Sequence, residues 1–251
     1  MKPLLPITPR TEETLGTVTA AVSDFLAVAD ARTASTPHVE PFCGAAEIPF
    51  ELELTNCILN DSNPHIINFY EQVKNGEFFR RGWLIKERTD QRSWSNNRNR
   101  FNRLIADGNI KTVEAAQLTF YLNHVCREFK FDQLGNLVGL YNLSAELPEV
   151  DWDAAATLMQ HWELHNVTYS DLVVPENTPI VVNAPEIHSI QWGSVIWTLE
   201  EHKALCTWLD GHTNNKIILF HPRRPRPEVD ELYAHWTGGN RVFHSTQVVV
   251  A

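Results

Sequence analysis

The stretch His38-Val39-Glu40-Pro41-Phe42-Cys43-Gly44-Ala45-Ala46 decides how the rest of the chain is read. A short strand breaks into a turn of small residues, and a helical stretch follows to about Leu52. Small residues let backbone approach a bound molecule, and the N-terminus of a following helix favours a carboxylate or phosphate. The next apolar run, Asn56 to Asn60, ends at Asp61, and His65 to Lys74 has helical spacing. Strand, small-residue turn, helix, strand, acid, helix is the opening of a doubly wound α/β domain. An acid at the end of the second strand can accept hydrogen bonds from a ribose, so Asp61 is a candidate ligand-binding residue.

Upstream of this opening, Leu15, Val18, Val22, Phe25 and Leu26 recur at helical spacing within Thr11 to Ala31, and an amphipathic helix is expected there. Downstream, charges and asparagines dominate up to Gly108, Val113 to Cys126 is strongly helical, and Asp132 to Asn136 has the composition of a turn. This reads as a mostly helical lobe, residues 71–146, inserted in an α/β domain made of residues 1–70 and 147–251. The α/β pattern resumes with a helix over Ala154 to Leu164 and a buried strand at Ile180 to Val182. Thr198-Leu199-Glu200-Glu201 is a capping box opening a helix to about Asp210. A buried strand at Lys216 to Phe220, a helix at Glu228 to His235 and final strands within Arg241 to Val250 complete the reading.

At 251 residues with 43% hydrophobic content, the chain can bury a core without disulfide or metal staples. Its four cysteines lie far apart with no C-x-x-C pair, which favours buried small hydrophobes over disulfides or zinc ligands. No apolar run approaches the roughly 18 residues of a membrane span. Met1 to Arg10 has three prolines and no apolar core, so no secretory signal is expected and the protein is read as cytoplasmic. Net charge is −10, yet Arg80 to Arg103 holds eight of the 21 Lys and Arg against Glu87 and Asp90 alone. That segment is about +6 on a body of about −16, which suits either one polyanion-facing surface or a solvated helical face.

The wording of these segments carries a more specific message. Val39-Glu40-Pro41-Phe42-Cys43-Gly44, then I-L-N-D-S-N-P-H-I-I-N-F-Y-E-Q-V-K at Ile58 to Lys74, closely resembles the start of Dam-type (D12 class) DNA adenine-N6 methyltransferases. There an E-P-F-x-G-x-G turn precedes an N-D-x-N-x-x-L-I-x-x-Y helix. Phe120 to His124 is similar to that family's Y-L-N-R stretch, and Gly135-Asn136-Leu137 to its G-x-F. Trp197 to Leu205 looks like its F-T-x-x-D-H-x-x-L helix. The order holds from about Val39 to Tyr233.

The resemblance implies a Rossmann-like S-adenosylmethionine-dependent methyltransferase fold with an inserted recognition lobe. S-adenosylmethionine would be the cofactor and N6 of adenine in duplex DNA the target. Glu40, Phe42, Gly44 and Asp61 would form the cofactor site, with Phe42 and Gly44 at the methionine end and Asp61 at the ribose or adenine end. Arg92, Arg98, Arg100 and Asn123 would face DNA, the arginines on phosphates, with Trp83, Trp94 and Phe101 among the charges. Lys130 falls where the family's hairpin carries a basic residue, as a guanine contact or a solvated lysine.

Several positions depart from the pattern. Where the family has D-P-P-Y, this chain has Asn183-Ala184-Pro185-Glu186. Asn183 can still accept a hydrogen bond from N6 and Ala184 keeps its carbonyl, but Glu186 cannot stack on an extruded base as a tyrosine does. Ala46 replaces the second glycine of the turn, no W-x-G-G-K segment occurs within Leu4 to Gly16, and the aromatic-Asn-Gly turn is missing around Val125 to Phe129. Three readings stand: an active adenine-N6 methyltransferase, an inactive relative that binds DNA or a second methyltransferase-like subunit, and a repurposed transferase. A compact chain with drifted motifs suits a phage or mobile element acting in a bacterial or phage-infected cell.

Other clusters invite blander readings. His161 and His165, four apart on an expected helix, lack a third metal ligand, and no metal is expected. Asp151 with Asp153, and Glu200 with Glu201, suit helix N-termini. Arg223, Arg224 and Arg226 follow a strand, where ligand-facing loops lie in this fold.

Overall fold

The structure, a computed structural model, describes residues 1–6, 12–28, 36–80, 82–127, 131–132, 135–187, 196–221, 227–236 and 241–245. Among the described residues, six strands, β1 (His38–Glu40), β2 (Cys57–Asn60), β3 (Glu163–His165), β4 (Pro179–Asn183), β5 (Lys216–His221) and β6 (Arg241–Ser245), form one parallel sheet in the order β3-β2-β1-β4-β5-β6. The chain works outward from β1 to the β3 edge, then returns to lay β4 against β1. That reversal lies between β1 and β4, and it is at the carboxyl ends of the strands at such a switch point that doubly wound sheets bind ligands.

Parallel strands buried on both faces need apolar residues in both phases. Val39, Ile180, Val182, Ile217 and Leu219 look one way, onto Leu205 and Leu209 of α8 (Leu199–Gly211) and Val229 of α9 (Pro227–Leu232). Val181, Ile218 and Phe220 look the other way, onto Val18, Val22 and Leu26 of α1 (Glu12–Val28) and Ile48 of α2 (Glu47–Glu51). On that second face, nearer the β3 edge, Cys57 and Leu59 meet α3 (Pro64–Lys74) and α7 (Trp152–Leu158). Burying each such Val, Leu, Ile or Phe side chain contributes about 1.5–3 kcal/mol.

Helix α3 starts where the sequence gives it every signal. Asn63 accepts the His65 N–H, Pro64 sits at the first helical position, and Lys74 occupies the last turn. Thr198 caps α8 by accepting from Glu201 N–H at 3.3 Å, and Asp151 caps α7 by accepting from Ala154 N–H at 3.0 Å, as their acidic first turns suggested.

Between α3 and α7 lie α4 (Glu77–Arg80), α5 (Gln91–Ala106) and α6 (Val113–Val125). Trp94, Phe101, Leu118, Leu122 and Leu137 form a cluster there, while α6 also packs on α3 through Phe120 and Phe69. Gln117, fully buried, donates to the Phe78 and Gly82 carbonyls and accepts from Leu84 N–H, fastening the α4 region to α6.

Three expectations change. The helix expected over Ala154 to Leu164 ends at Leu158, and a single turn at Met159–His161 leads into β3. A three-residue edge strand with Leu164 as its one apolar residue carries no periodic signal. His161 and His165 consequently sit on different elements rather than on one helix. Trp83, Trp94 and Phe101 are not interleaved with the arginines on a surface; Phe101 and Trp94 are buried and Trp83 packs on the aromatic core. All four cysteines are free and buried, as read. Among the described residues no helix is long and apolar enough to cross a membrane.

Candidate active site

Two strand ends define the site. Val39 pairs with Ile180 in a parallel arrangement, so the turn that follows Glu40, with Phe42, and Asn183 at the end of β4 both lie at the carboxyl end of the sheet. Phe42 packs on the core cluster that contains Ala184 and Ile187, which ties the two loops together.

The turn after β1 is held by β2 and α3. Cys43 N–H donates to the Asn60 carbonyl at 2.8 Å, and Ala46 N–H donates to the Cys43 carbonyl at 2.7 Å. The Tyr70 hydroxyl donates to the Gly44 carbonyl at 3.0 Å, and Gly44 N–H donates to Asp61 Oδ2 at 2.9 Å. Gly44 lies at φ +46°, and a side-chain carbon built there would meet nothing within 4 Å, so open space faces this backbone. Ala46, at φ 48°, adopts the left-handed conformation that the family's glycine would take without strain.

Asp61 stands at the end of β2 as expected. Its second oxygen accepts from Asn63 N–H at 2.8 Å, so the carboxylate bridges the β1 turn and the start of α3. Withdrawal from water pushes its pKa up to about 6, against the pull of the two backbone N–H donors. Burial, with Asp61 and Glu40 nearby, likewise pushes the Cys43 thiol well up, so it stays protonated.

Glu40 is drawn inward. Only 6% exposed, it meets His38 Nε2 at 2.8 Å along its own strand, on the face opposite Val39. The arrangement therefore commits Glu40 to a buried pair at the base of the turn.

Opposite the turn, Asn183 is half-buried, Ala184 is buried and Glu186 is exposed. The loop after β4 is pinned by His202 of α8, whose Nε2 lies 3.1 Å from the Pro185 carbonyl. A carbonyl only accepts, so that nitrogen carries the proton. Three aromatic rings of the same core cluster meet at the β1 turn, with the Phe42 centroid 5.4 Å from Tyr169 and 5.5 Å from Trp197. Trp197 is 5% exposed, and its indole N–H has no hydrogen-bond partner among the described residues.

Asn60, Tyr70 and His202 lie in the quoted motifs but received no site role from sequence, and Tyr169 was not singled out. Asn60 donates to the Pro41 and Val167 carbonyls and accepts from Val167 N–H, tying the β1 turn to the loop after β3. A buried asparagine closing a strand was the available signal, beside the more conspicuous Asp61.

On the helical segment the arginines divide. Arg100 pairs with Glu114 and donates to the Leu84 carbonyl, and Arg98 lies over the Trp94 ring at 4.6 Å. Arg92 and Arg103 are exposed on the outward face of α5 and make no ion pair with any described residue. Asn123 is 5% exposed, its amide donating to the Thr119 carbonyl of its own helix, so it is not presented to solvent. Lys130 and Arg223, Arg224 and Arg226 lie outside the described residues.

Residues 19–133 match the family model described as D12 class N6 adenine-specific DNA methyltransferase. No curated protein matches the chain. The matched span contains the β1 turn, Asp61, α3, α5 and α6, while β4 and the Asn183 loop lie beyond it.

Proposed function

We propose, on the premise that residues 19–133 are those of a D12 class N6 adenine-specific DNA methyltransferase, that the crevice between β1 and β4 binds S-adenosylmethionine beside an adenine extruded from duplex DNA. The match supports an adenine-N6 methyltransferase-like function, a DNA substrate and a cofactor of this class. What carries the assignment to these residues is the link from Gly44 N–H to Asp61, which joins the small-residue turn and the strand-end acid into one wall of the crevice.

The residues fit such a cofactor in two respects. Open space faces Gly44, and the Asp61 carboxylate, with one N–H on each oxygen, keeps lone pairs for ribose hydroxyls. When bound, the cofactor supplies an electrophilic methyl group. Asn183 accepts one hydrogen of the adenine amine and the Ala184 carbonyl accepts the other, raising electron density on N6. Bonded to the Pro185 carbonyl, His202 holds this loop in place. Residues 71–146 serve as the DNA-facing lobe, with Arg92 and Arg103 of α5 on phosphates, and the setting is the cytoplasm of a bacterial or phage-infected cell.

A second reading is favoured by the rings at the crevice mouth. Phe42 and Trp197 stand edge to face in direct contact, and Glu186 brings no ring with which to hold a base. On that reading the protein binds DNA, or a second methyltransferase-like subunit, without methylating. Transfer of labelled methyl groups to adenine-containing duplex separates the two. Activity that disappears in Asn183→Ala supports the enzyme, whereas DNA binding without any transfer supports the relative.

A further inference from the structure

Beside β6, at the carboxyl-terminal half of α8, three chemically different side chains converge. Cys206 and Asp210 lie one turn apart on α8, and His235 follows α9. Their donor atoms all lie within 4.8 Å of one another. Cys206 Sγ is 3.7 Å from Asp210 Oδ2, and His235 Nε2 is 2.9 Å from the same oxygen.

We propose that Cys206, Asp210 and His235 form a binding site for a divalent cation of the zinc class. Zinc bonds of about 2.0 Å to N and O and about 2.3 Å to S, at tetrahedral angles, separate ligand atoms by roughly 3.3–3.5 Å. The two spacings to Asp210 Oδ2, 3.7 and 2.9 Å, fall on either side of that range, and the third lies within 4.8 Å, so small side-chain shifts bring the three atoms onto one ion. One sulfur, one imidazole nitrogen and one carboxylate oxygen is a donor set for a borderline cation, not for magnesium or calcium.

The surroundings aim the carboxylate. Trp236 Nε1 donates to Asp210 Oδ1 at 3.0 Å, and Arg241 approaches that same oxygen at 3.7 Å, which turns Oδ2 toward Cys206 and His235. Arg241 is itself committed to the Leu209, Asp210 and His212 carbonyls at the end of α8. Such outer partners orient metal-binding carboxylates and histidines. His235 and Asp210 are 54% and 41% exposed, which leaves an entry path and room for a water as fourth ligand. On binding, the Cys206 thiol releases its proton to solvent, and the His235–Asp210 contact opens to admit the ion. The cation would lock α8, the end of α9 and, through Arg241, strand β6.

The test uses the full chain stripped with chelator and titrated with Co²⁺, then with Zn²⁺ in competition. The proposal expects one equivalent of Co²⁺, a thiolate-to-cobalt charge-transfer absorption displaced by Zn²⁺, its loss in Cys206→Ala, and affinity at least about tenfold weaker in His235→Ala. His235 is exposed, so its variant keeps the fold even if Cys206→Ala does not. An absence of that absorption in the unsubstituted protein, or affinity unchanged in His235→Ala, would overturn the site.

Discussion

The backbone N–H of Gly44 donates to Asp61 Oδ2 at 2.9 Å, across 17 residues of sequence and two strands of the sheet. This one bond fixes the small-residue turn against the strand-end acid and sets where a ribose could be held. Because the acceptor is ionisable, the geometry of the turn depends on the charge of Asp61.

A pH dependence follows. Asp61 ionises near 3.8 when exposed and at about 6 in the folded protein, so between those values the folded state binds the extra proton. Stability from this group therefore rises as pH falls from about 6 toward 4, by at most about 1.4 kcal/mol per unit. Ribose hydroxyls prefer the carboxylate, so S-adenosylmethionine affinity should fall below pH 6, by up to about tenfold per unit. Denaturant melts and titrations across pH 4.5–7.5 check both trends, and Asp61→Asn should flatten them.

Glu40 should behave as a structural residue. Glu40→Ala would leave His38 Nε2 buried without its partner, at a cost of about 1–3 kcal/mol. Urea unfolding should show that loss, with Glu40→Gln recovering most of it. A change in cofactor affinity without a change in stability would instead place Glu40 in the pocket.

The arginines of α5 should differ in kind. Each phosphate contact contributes about 0.9 to the slope of log affinity against log salt. Arg92→Ala and Arg103→Ala should each lower that slope by about one in fluorescence anisotropy with duplex DNA. Arg100→Ala removes the Glu114 pair and a backbone bond, so its main effect should be on melting temperature.

Glu186 gives a gain-of-function test. A stacked aromatic ring contributes about 1–3 kcal/mol per base. Because position 186 is exposed, Glu186→Tyr should fold normally and tighten binding to DNA carrying an unpaired adenine, read by competition against fully paired duplex.

The fold was legible wherever burial wrote itself into periodicity. Ile180 to Val182 and Ile217 to Phe220 are continuous apolar runs because their strands are covered on both faces, and Asn63-Pro64 and Thr198 announce their helices. Strand β3 was not legible, since three residues at an edge carry one apolar side chain. The positions of Phe42, Gly44, Asp61 and Asn183 in a turn and at strand ends could be read from the sequence, because strand ends and a small-residue turn are local features. Glu40 could not, because its fate depends on His38, two residues away on the same face of one strand. The inward turn of Asn123 follows from packing of α6 on two sides, which no local pattern reveals.

Calorimetric titration of the full chain with S-adenosylmethionine at neutral pH tests the central claim most directly. One binding site, abolished by Asp61→Ala in a variant that keeps its secondary structure, is the predicted result. No heat at millimolar ligand, or equal binding by the variant, would contradict a cofactor held between the Gly44 turn and Asp61.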